Sequence, residues 1–191
     1  MNTLIINGHP GKNTFNSALA DAFTIGAQKT STKLKTIEVA DLNLTLEMTG
    51  FDKDKPIPEN IKKVQEMILW ADHLVWIYPT WWANMPAMLK AFFEQVFLSD
   101  FAFKYKKSSK FVKWDKFLTG KSAQIISTMD SPPWYYKLKV GDPGYKTIKD
   151  IMNFCGIKME RRTYFGSVKV SSELQRKKWL EKAEKLGSKL S

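Results

Sequence analysis

The stretch that decides the fold is TLIINGHPGKNTFNS, residues 3–17. Its first residues, Thr3–Asn7, form an apolar and β-branched run that predicts a buried strand. The loop after them contains Gly8 and Gly11, which allow tight turns, and a helical pattern over Phe15–Lys29 follows at once. A strand, a short loop and a helix in this order predict the first half of a βαβ unit.

The rest of the chain repeats this alternation. Further strands are predicted at Leu34–Val39, His73–Tyr78, Ser122–Met129 and Arg161–Val168. Further helices are predicted at Pro58–Ala71, Pro86–Phe97, Tyr145–Phe154 and Ser172–Leu190. We expect an α/β fold, with one domain over residues 1–191 and a doubly wound, five-stranded parallel sheet in the order 2-1-3-4-5 with helices on both faces. Two longer connections, Asn43–Pro56 and Leu98–Lys121, interrupt the alternation, and such loops are usually functional or interface segments.

The composition and charge argue against several classes of protein. Hydrophobic residues make up 43% of the 191 residues, charged residues make up 26%, and the net charge is +11. Most of this charge comes from lysines scattered over predicted helix faces and loops, and no nucleic-acid-binding motif is present, so we expect no nucleic acid partner. No apolar run approaches the roughly 20 residues of a membrane helix, and no signal peptide is recognisable. We therefore expect a cytoplasmic protein without membrane insertion.

Cysteine and histidine are rare in this chain. Cys155 is the only cysteine and lies in an apolar stretch, so we expect a buried side chain in preference to a reactive thiol. The two histidines, His9 and His73, are far apart and have no metal-ligand spacing. We expect no metal site.

Polar and aromatic loops follow the first, third and fourth predicted strands. The first, His9–Ser17, opens a helix, where free N–H groups and the helix dipole favour a bound phosphate. It matches neither a P-loop nor a dinucleotide fingerprint, and it could equally be a capped loop with Asn13 or Thr14 as N-cap. The second, Tyr78–Pro86, carries two adjacent tryptophans, which suit a planar ligand, a subunit interface or core packing.

The third loop, Ser127–Tyr136, completes the set. All three loops lie at the carboxyl ends of strands that the predicted order makes neighbours. Ligands of open α/β sheets bind at this edge, whereas core aromatic residues are expected inside strands and helices. The convergence of the three loops therefore favours a ligand site.

Four motifs give the chain a family resemblance. They are His9 with Thr14-Phe15-Asn16, then PTWWANMPAMLK at residues 79–90, FEQVF at residues 93–97, and Phe154-Cys155-Gly156. With them the chain resembles the flavodoxin-like NAD(P)H:quinone oxidoreductases over nearly its whole length. The resemblance implies a flavodoxin-like fold, FMN as cofactor with FAD as the alternative, NAD(P)H as reductant and a small aromatic acceptor. It also implies a homodimer whose flavin site both subunits complete, with Asn43–Asp54 and Leu98–Lys121 as candidate interface segments.

The resemblance also assigns roles to individual residues. It implies that the first loop holds the flavin phosphate, the second lines the isoalloxazine and the third holds its other edge. The expected cofactor-binding residues are His9, Asn13, Thr14, Phe15, Asn16, Ser17, Pro79, Thr80, Trp81, Trp82, Ala83, Thr128, Met129 and Asp130. Trp82 and Tyr135 are the expected catalytic residues, as aromatic walls for nicotinamide and acceptor. Tyr135 or a backbone N–H near Thr80–Ala83 would stabilise developing negative charge, although Tyr135 could equally be a gating or packing residue.

The chain departs from the family pattern at two places. Thr128-Met129-Asp130 and two prolines stand where many relatives have Thr-Gly-Gly, and Gly141-Asp142-Pro143 stands where the best-known relatives have a histidine. We therefore expect two-electron, ping-pong hydride transfer to quinones or similar acceptors without a Tyr–His relay. The alternative is an ancillary or regulatory flavin-binding subunit of a transport system. One-electron transfer in the manner of flavodoxins fits poorly, because those proteins usually carry an acidic docking surface.

Overall fold

The computed structural model describes residues 1–47, 50, 56–106 and 112–190. Its main sheet contains β1 (Asn2–Asn7), β2 (Lys33–Glu38), β3 (His73–Pro79), β6 (Ser122–Thr128) and β7 (Lys158–Phe165). These strands are all parallel and lie in the order β2-β1-β3-β6-β7, with Asn7 beside Glu38 on one side and Ile77 on the other. The observed order confirms the predicted order 2-1-3-4-5 and the α/β fold class.

Helices cover both faces of the sheet. The main helices are α1 (Phe15–Ala27), α2 (Glu59–Trp70), α3 (Ala87–Val96), α5 (Pro143–Cys155) and α6 (Glu173–Gly187). One apolar cluster packs α2, α3 and α5 against the sheet, and a second cluster packs α1 and α6 against the other face. Every residue of β3 is buried, as expected for a central strand covered on both sides.

An aromatic group in the first cluster packs around Trp76. Its ring centroid lies 4.7 Å from that of Phe93 and 5.8 Å from that of Phe92. Full burial of each such side chain contributes about 1.5–3 kcal/mol to stability. Cys155 is buried in the same cluster, as predicted, and burial raises the pKa of its thiol to about 12. The thiol is therefore protonated and unreactive at neutral pH.

Helices α1 and α6 cross in close contact. A Cβ added to Gly26 would lie 1.8 Å from the backbone oxygen of Glu184, and one added to Gly187 would lie 2.0 Å from that of Phe23. Only glycine permits this backbone approach, which sets how α1 lies on the sheet.

Several predicted boundaries differ from the observed ones. Strand β7 begins at Lys158, three residues before the predicted start at Arg161. Gly156 ends α5 with φ of 96°, so the chain turns into the sheet at once. The early part of β7, KMERR, is an edge strand with exposed side chains and lacks the apolar alternation of a half-buried strand.

Several short elements were not predicted. Strands β4 (Phe103–Tyr105) and β5 (Trp114–Lys116) form an antiparallel hairpin within the long connection Leu98–Lys121. The short helix α4 (Pro133–Tyr135) continues into one turn of π-helix over Tyr136–Val140. Strands of three residues are too short to show a periodic pattern. Residues 48–49 and 51–55 of the other long connection, Asn43–Pro56, lie outside the described residues, as do residues 107–111 between β4 and β5.

Candidate functional site

The loops after β1, β3 and β6 meet at one pocket on the carboxyl edge of the sheet. We call it the rim pocket, and it is lined by His9, Thr14, Phe15, Asn16, Pro79, Thr80, Trp81, Thr128, Met129, Asp130 and Val168. All but Val168 are among the site residues predicted from the sequence. Val168 lies just after the carboxyl end of β7. It could have been predicted as a lining residue because β7 is a fourth strand that ends at this edge of the sheet. The predicted residues Asn13, Ser17, Trp82 and Ala83 lie in the same loops without lining the pocket.

Thr14 is the N-cap of α1, which confirms one of the two interpretations of this loop. Its side chain accepts from the N–H of Ser17 at 3.3 Å, and the Ser17 hydroxyl accepts from the N–H of Thr14 at 3.3 Å. Behind this capping box, the side-chain amide of Asn7 donates to Ser17 Oγ at 3.2 Å and to Glu38 Oε2 at 2.8 Å. Ser17 therefore supports the loop from behind. The cap and a bound anion are compatible, because a helix N-terminus has more free N–H groups than one cap uses.

His9 is held in one orientation at the pocket. The Nδ1 atom of the neutral His9 ring accepts from the N–H of Gly11 at 2.8 Å or donates to Gly11 O at 3.1 Å, according to the tautomer. Burial lowers the pKa of His9, which favours this neutral form at pH 7. The ring meets the Trp81 indole edge-on, with centroids 5.5 Å apart. His9 thus brings a neutral imidazole to the lining of the pocket.

Asn16 carries a buried hydrogen-bond donor that has no partner among the described residues. The residue is 3% exposed, and its Oδ1 atom accepts from the Thr128 hydroxyl at 2.8 Å. Its Nδ2 atom is buried and has no partner among the described residues. A buried donor left unpaired costs about 1–3 kcal/mol. Since Asn16 lines the rim pocket, an acceptor atom of a ligand there would satisfy it.

A tight turn over Trp81–Asn84 forms the second side of the site. The N–H of Trp81 donates to Asn84 O at 2.8 Å, and the N–H of Asn84 donates to Trp81 O at 3.0 Å. The two central residues, Trp82 and Ala83, have φ of 48° and 63°, as in a type I′ turn. The Trp82 side chain is fully exposed, while Trp81 faces the pocket.

The turn after β6 is anchored to the chain after β7. The N–H of Met129 donates to Phe165 O at 2.9 Å, and the N–H of Lys169 donates to Asp130 Oδ1 at 2.9 Å. The N–H of Met129 is therefore already engaged, unlike the glycine N–H groups that the family resemblance implies at this turn. Thr128 and Asp130 line the pocket with side chains that already make hydrogen bonds within the protein, to Asn16 and Lys169 respectively.

The two adjacent tyrosines of the third loop have different surroundings. Tyr135 is exposed beside Trp134 and does not line the rim pocket. Tyr136 is buried, and its hydroxyl donates to Ala83 O at 2.9 Å. Sequence reasoning missed Tyr136, because adjacent tyrosines in one loop give no signal as to which one is buried.

The donors and rings at the pocket suit a planar, phosphorylated ligand. Amide, imidazole and hydroxyl groups come from Asn16, His9, Thr14 and Thr80, and flat faces come from Phe15 and Trp81. Among the described residues, no group of three or more His, Cys, Asp or Glu side chains could hold a metal ion. The residues present therefore fit an organic cofactor such as a flavin.

Known proteins resemble this chain over its full length. A protein of Haemophilus influenzae, named an uncharacterised NAD(P)H oxidoreductase, is 28% identical over 199 residues, covering 100% of this chain and 96% of its own. A crystal structure from Streptococcus mutans UA159 is 29% identical with a TM-score of 0.85 and covers 100% of both chains. An NAD(P)H:quinone oxidoreductase from Methanothermobacter marburgensis is 21% identical with a TM-score of 0.79, over 100% of this chain and 99% of its own.

Two more distant structures share the fold and contain FMN. One is an NADH-azoreductase of Bacillus anthracis, 18% identical with a TM-score of 0.69 over 98% of this chain and 97% of its own. The other is a general stress protein of Treponema denticola, 19% identical with a TM-score of 0.68 over 98% of this chain and 95% of its own. A family model described as flavodoxin-like fold matches residues 1–189. With this match over nearly every residue, the chain belongs to the family of proteins with a flavodoxin-like fold.

Proposed function

We propose that this protein is a flavin-dependent NAD(P)H oxidoreductase that binds FMN in the rim pocket and reduces quinones or similar small aromatic acceptors. The observation that carries the proposal is the buried Nδ2 atom of Asn16, which has no partner among the described residues, at a pocket that also presents aromatic faces. The names of the H. influenzae and M. marburgensis relatives support the reaction class. The two FMN complexes of the same fold support the cofactor.

Each side of the pocket has its own part in binding. The capped N-terminus of α1 and the neutral His9 would hold the phosphate, and Asn16 would donate to an oxygen of the cofactor. Trp81 and Phe15 would pack against its flat parts. Bound FMN would supply the hydride-accepting ring, while these residues bind it, orient it and exclude water.

The exposed aromatic residues above the pocket would receive the substrates. Trp82 and Tyr135 both present large faces to solvent beside the site. We propose that NAD(P)H and the acceptor occupy the space between these faces in turn, which predicts ping-pong kinetics. A backbone N–H of the turn, or the Tyr135 hydroxyl, would stabilise negative charge on the acceptor oxygen.

Titration of the purified protein with FMN, followed by steady-state kinetics with NADH or NADPH and a quinone, tests the proposal. We expect saturable FMN binding, turnover and parallel double-reciprocal lines. Absence of flavin binding would overturn the proposal, intersecting lines would exclude the ping-pong order, and flavin binding without turnover would favour the ancillary subunit. Mass spectrometry of the released cofactor distinguishes FMN from FAD.

We also propose that the protein is a homodimer. Tyr105 and Val112 are exposed in the long connection that was predicted as an interface segment, and exposed large apolar side chains favour an interface. Light scattering at micromolar concentration should give twice the chain mass of 22.0 kDa. A monomer would contradict this proposal without affecting the flavin site.

No helix in the described part of the chain is long and apolar enough to cross a membrane. We propose that the protein acts in the cytoplasm, which fractionation of cells would test.

A further inference from the structure

The Trp81–Asn84 turn is a strained element at the edge of the rim pocket. Its two central residues, Trp82 and Ala83, both lie in the left-handed region. A side chain with a Cβ makes this conformation costly, and glycine or asparagine usually stands at such positions. A strained turn of this kind persists only where its surroundings hold it in place.

Tyr136 supplies a contact that holds the turn. Its buried hydroxyl donates to Ala83 O at 2.9 Å and accepts from the N–H of Gly144 at 2.9 Å. Burial raises the pKa of this hydroxyl, so it keeps its proton and remains a donor. One oxygen atom therefore ties the turn to the start of helix α5.

The start of α5 is itself anchored to the sheet. The buried carboxylate of Asp142 accepts hydrogen bonds from Arg162 and Tyr164, two residues of β7. The N–H of Asp142 donates to Tyr136 O at 3.1 Å. A Cβ on Gly144 would lie 2.8 Å from the Tyr136 hydroxyl, so glycine is needed for the contact. Tyr136 thus joins the turn to a corner that is fixed by side chains of the main sheet.

A movement of the turn would move one wall of the pocket. Trp81, the first residue of the turn, lines the rim pocket together with Thr80. The N–H of Thr80 donates to Thr128 O at 2.7 Å, which holds the strand end but not the turn beyond it. The position of the Trp81 ring therefore depends on how firmly the turn is held.

We infer that Tyr136 is a positioning residue that clamps the Trp82–Ala83 turn and so sets the wall against which the ligand of the rim pocket packs. The identity of that ligand rests on the proposed function, whereas the clamp is a property of the protein alone. The two can therefore fail separately.

Hydrogen exchange of the protein without added flavin tests the clamp directly. In Tyr136→Phe, both hydrogen bonds of the hydroxyl are lost while the buried ring remains. We expect the amides of Trp81 and Asn84, which close the turn, to exchange about tenfold faster than in the parent protein. The matched control is Tyr145→Phe on α5, where the ring contact with Arg162 is retained and the turn is untouched. Equal protection of the turn in Tyr136→Phe and the parent protein would overturn the inference, whatever the result with flavin.

Binding of FMN tests the consequence for the pocket. We expect Tyr136→Phe to raise the Kd for FMN about three- to tenfold, in line with the loss of one or two hydrogen bonds. Ala83→Gly removes the conformational cost at that position, so the effect of Tyr136→Phe on the Kd should shrink in the Ala83→Gly background. If Tyr136 acted only on global stability, Tyr136→Phe would lower Tm equally in the parent and in the Ala83→Gly background. Ala83→Gly would then not reduce the effect of Tyr136→Phe on the Kd.

The outcomes separate the inference from the proposed function. If the parent protein binds no FMN, the proposed function fails, and the exchange data still decide on the clamp. If FMN binds the parent protein and Tyr136→Phe equally well, Tyr136 does not position the pocket wall, and the inference is wrong.

Discussion

The Thr128 hydroxyl donates a 2.8 Å hydrogen bond to Asn16 Oδ1, which joins the end of β6 to the first turn of α1. With the amide oxygen engaged in this way, the amide nitrogen of Asn16 is turned away from Thr128. The buried Nδ2 atom has no partner among the residues that the structure describes. The end of β6 thus orients the amide group that the first turn of α1 places at the rim pocket.

Asn16→Asp should weaken FMN binding strongly. The change replaces the unpaired donor by a carboxylate oxygen and adds a negative charge close to the expected phosphate. We expect the Kd for FMN to rise at least about tenfold, measured by quenching of flavin fluorescence. Asn153→Asp, the same change at an exposed position of α5, is the control and should leave the Kd unchanged. Equal affinities in all three proteins would show that Asn16 does not contact the ligand.

Trp82→Ala should separate activity from stability. The side chain is fully exposed, so its removal should shift Tm very little. We expect kcat/KM for a quinone to fall about tenfold or more, because an aromatic wall for the acceptor is lost. Trp134→Ala removes an exposed indole from the neighbouring loop and serves as the comparison. An unchanged kcat/KM in Trp82→Ala would remove this residue from the acceptor site.

Acidification should destabilise the protein through His73. Burial lowers the pKa of His73 below its ordinary value of 6.5, with opposing effects from the charges of Glu160 and Arg161. The unfolded chain then binds the proton first, so stability is complete above pH 6.5 and is lost as the pH falls below it. The lowered pKa of His9 acts in the same direction.

Urea unfolding at pH 7.5 and pH 5.5 measures this dependence. The free energy of unfolding should fall more between these pH values in the parent protein than in His73→Gln, which cannot gain the proton. The raised pKa of Glu38 has the opposite sign and acts between its ordinary value of 4.5 and its raised value. Parallel pH profiles for the two proteins would show that His73 titrates normally in the folded state.

Gly187→Ala should be among the most destabilising single changes. The new Cβ would lie 2.0 Å from Phe23 O and 2.8 Å from Ala27 N, both of which are backbone atoms of α1. Backbone cannot yield as a flexible side chain can, so we expect a loss of about 3 kcal/mol or more in the free energy of unfolding. Lys177→Ala, an exposed change in the same helix, should cost less than about 0.5 kcal/mol. A loss below 1 kcal/mol in Gly187→Ala would mean that the helices can move apart.

The sheet and three of the loops at its edge could be predicted from the sequence because their signals are local. The buried strands β1, β3 and β6 show as short apolar runs, and parallel strands place their carboxyl ends together. The start of β7 could not be found, because an exposed edge strand such as KMERR has no apolar pattern.

Contacts between residues that are far apart along the chain could not be predicted from local sequence patterns. The burial of Tyr136, in contrast to the exposure of Tyr135, depends on Ala83 and Gly144, which lie 53 and eight residues away along the chain. The engagement of the Met129 N–H with Phe165 O depends in the same way on the pairing of β6 with the edge strand. The residues next to Tyr136 and Met129 in the sequence do not indicate these distant partners.

The close crossing of α1 and α6 has a consequence for synthesis of the protein on the ribosome. Helix α1 follows the first loop of the rim pocket, and one side of it packs closely against α6, the last of the described helices. A nascent chain that still lacks α6 leaves the side of α1 around Gly26 open to water or to a chaperone. The first loop of the rim pocket therefore reaches its final position only after α6 has emerged from the ribosome.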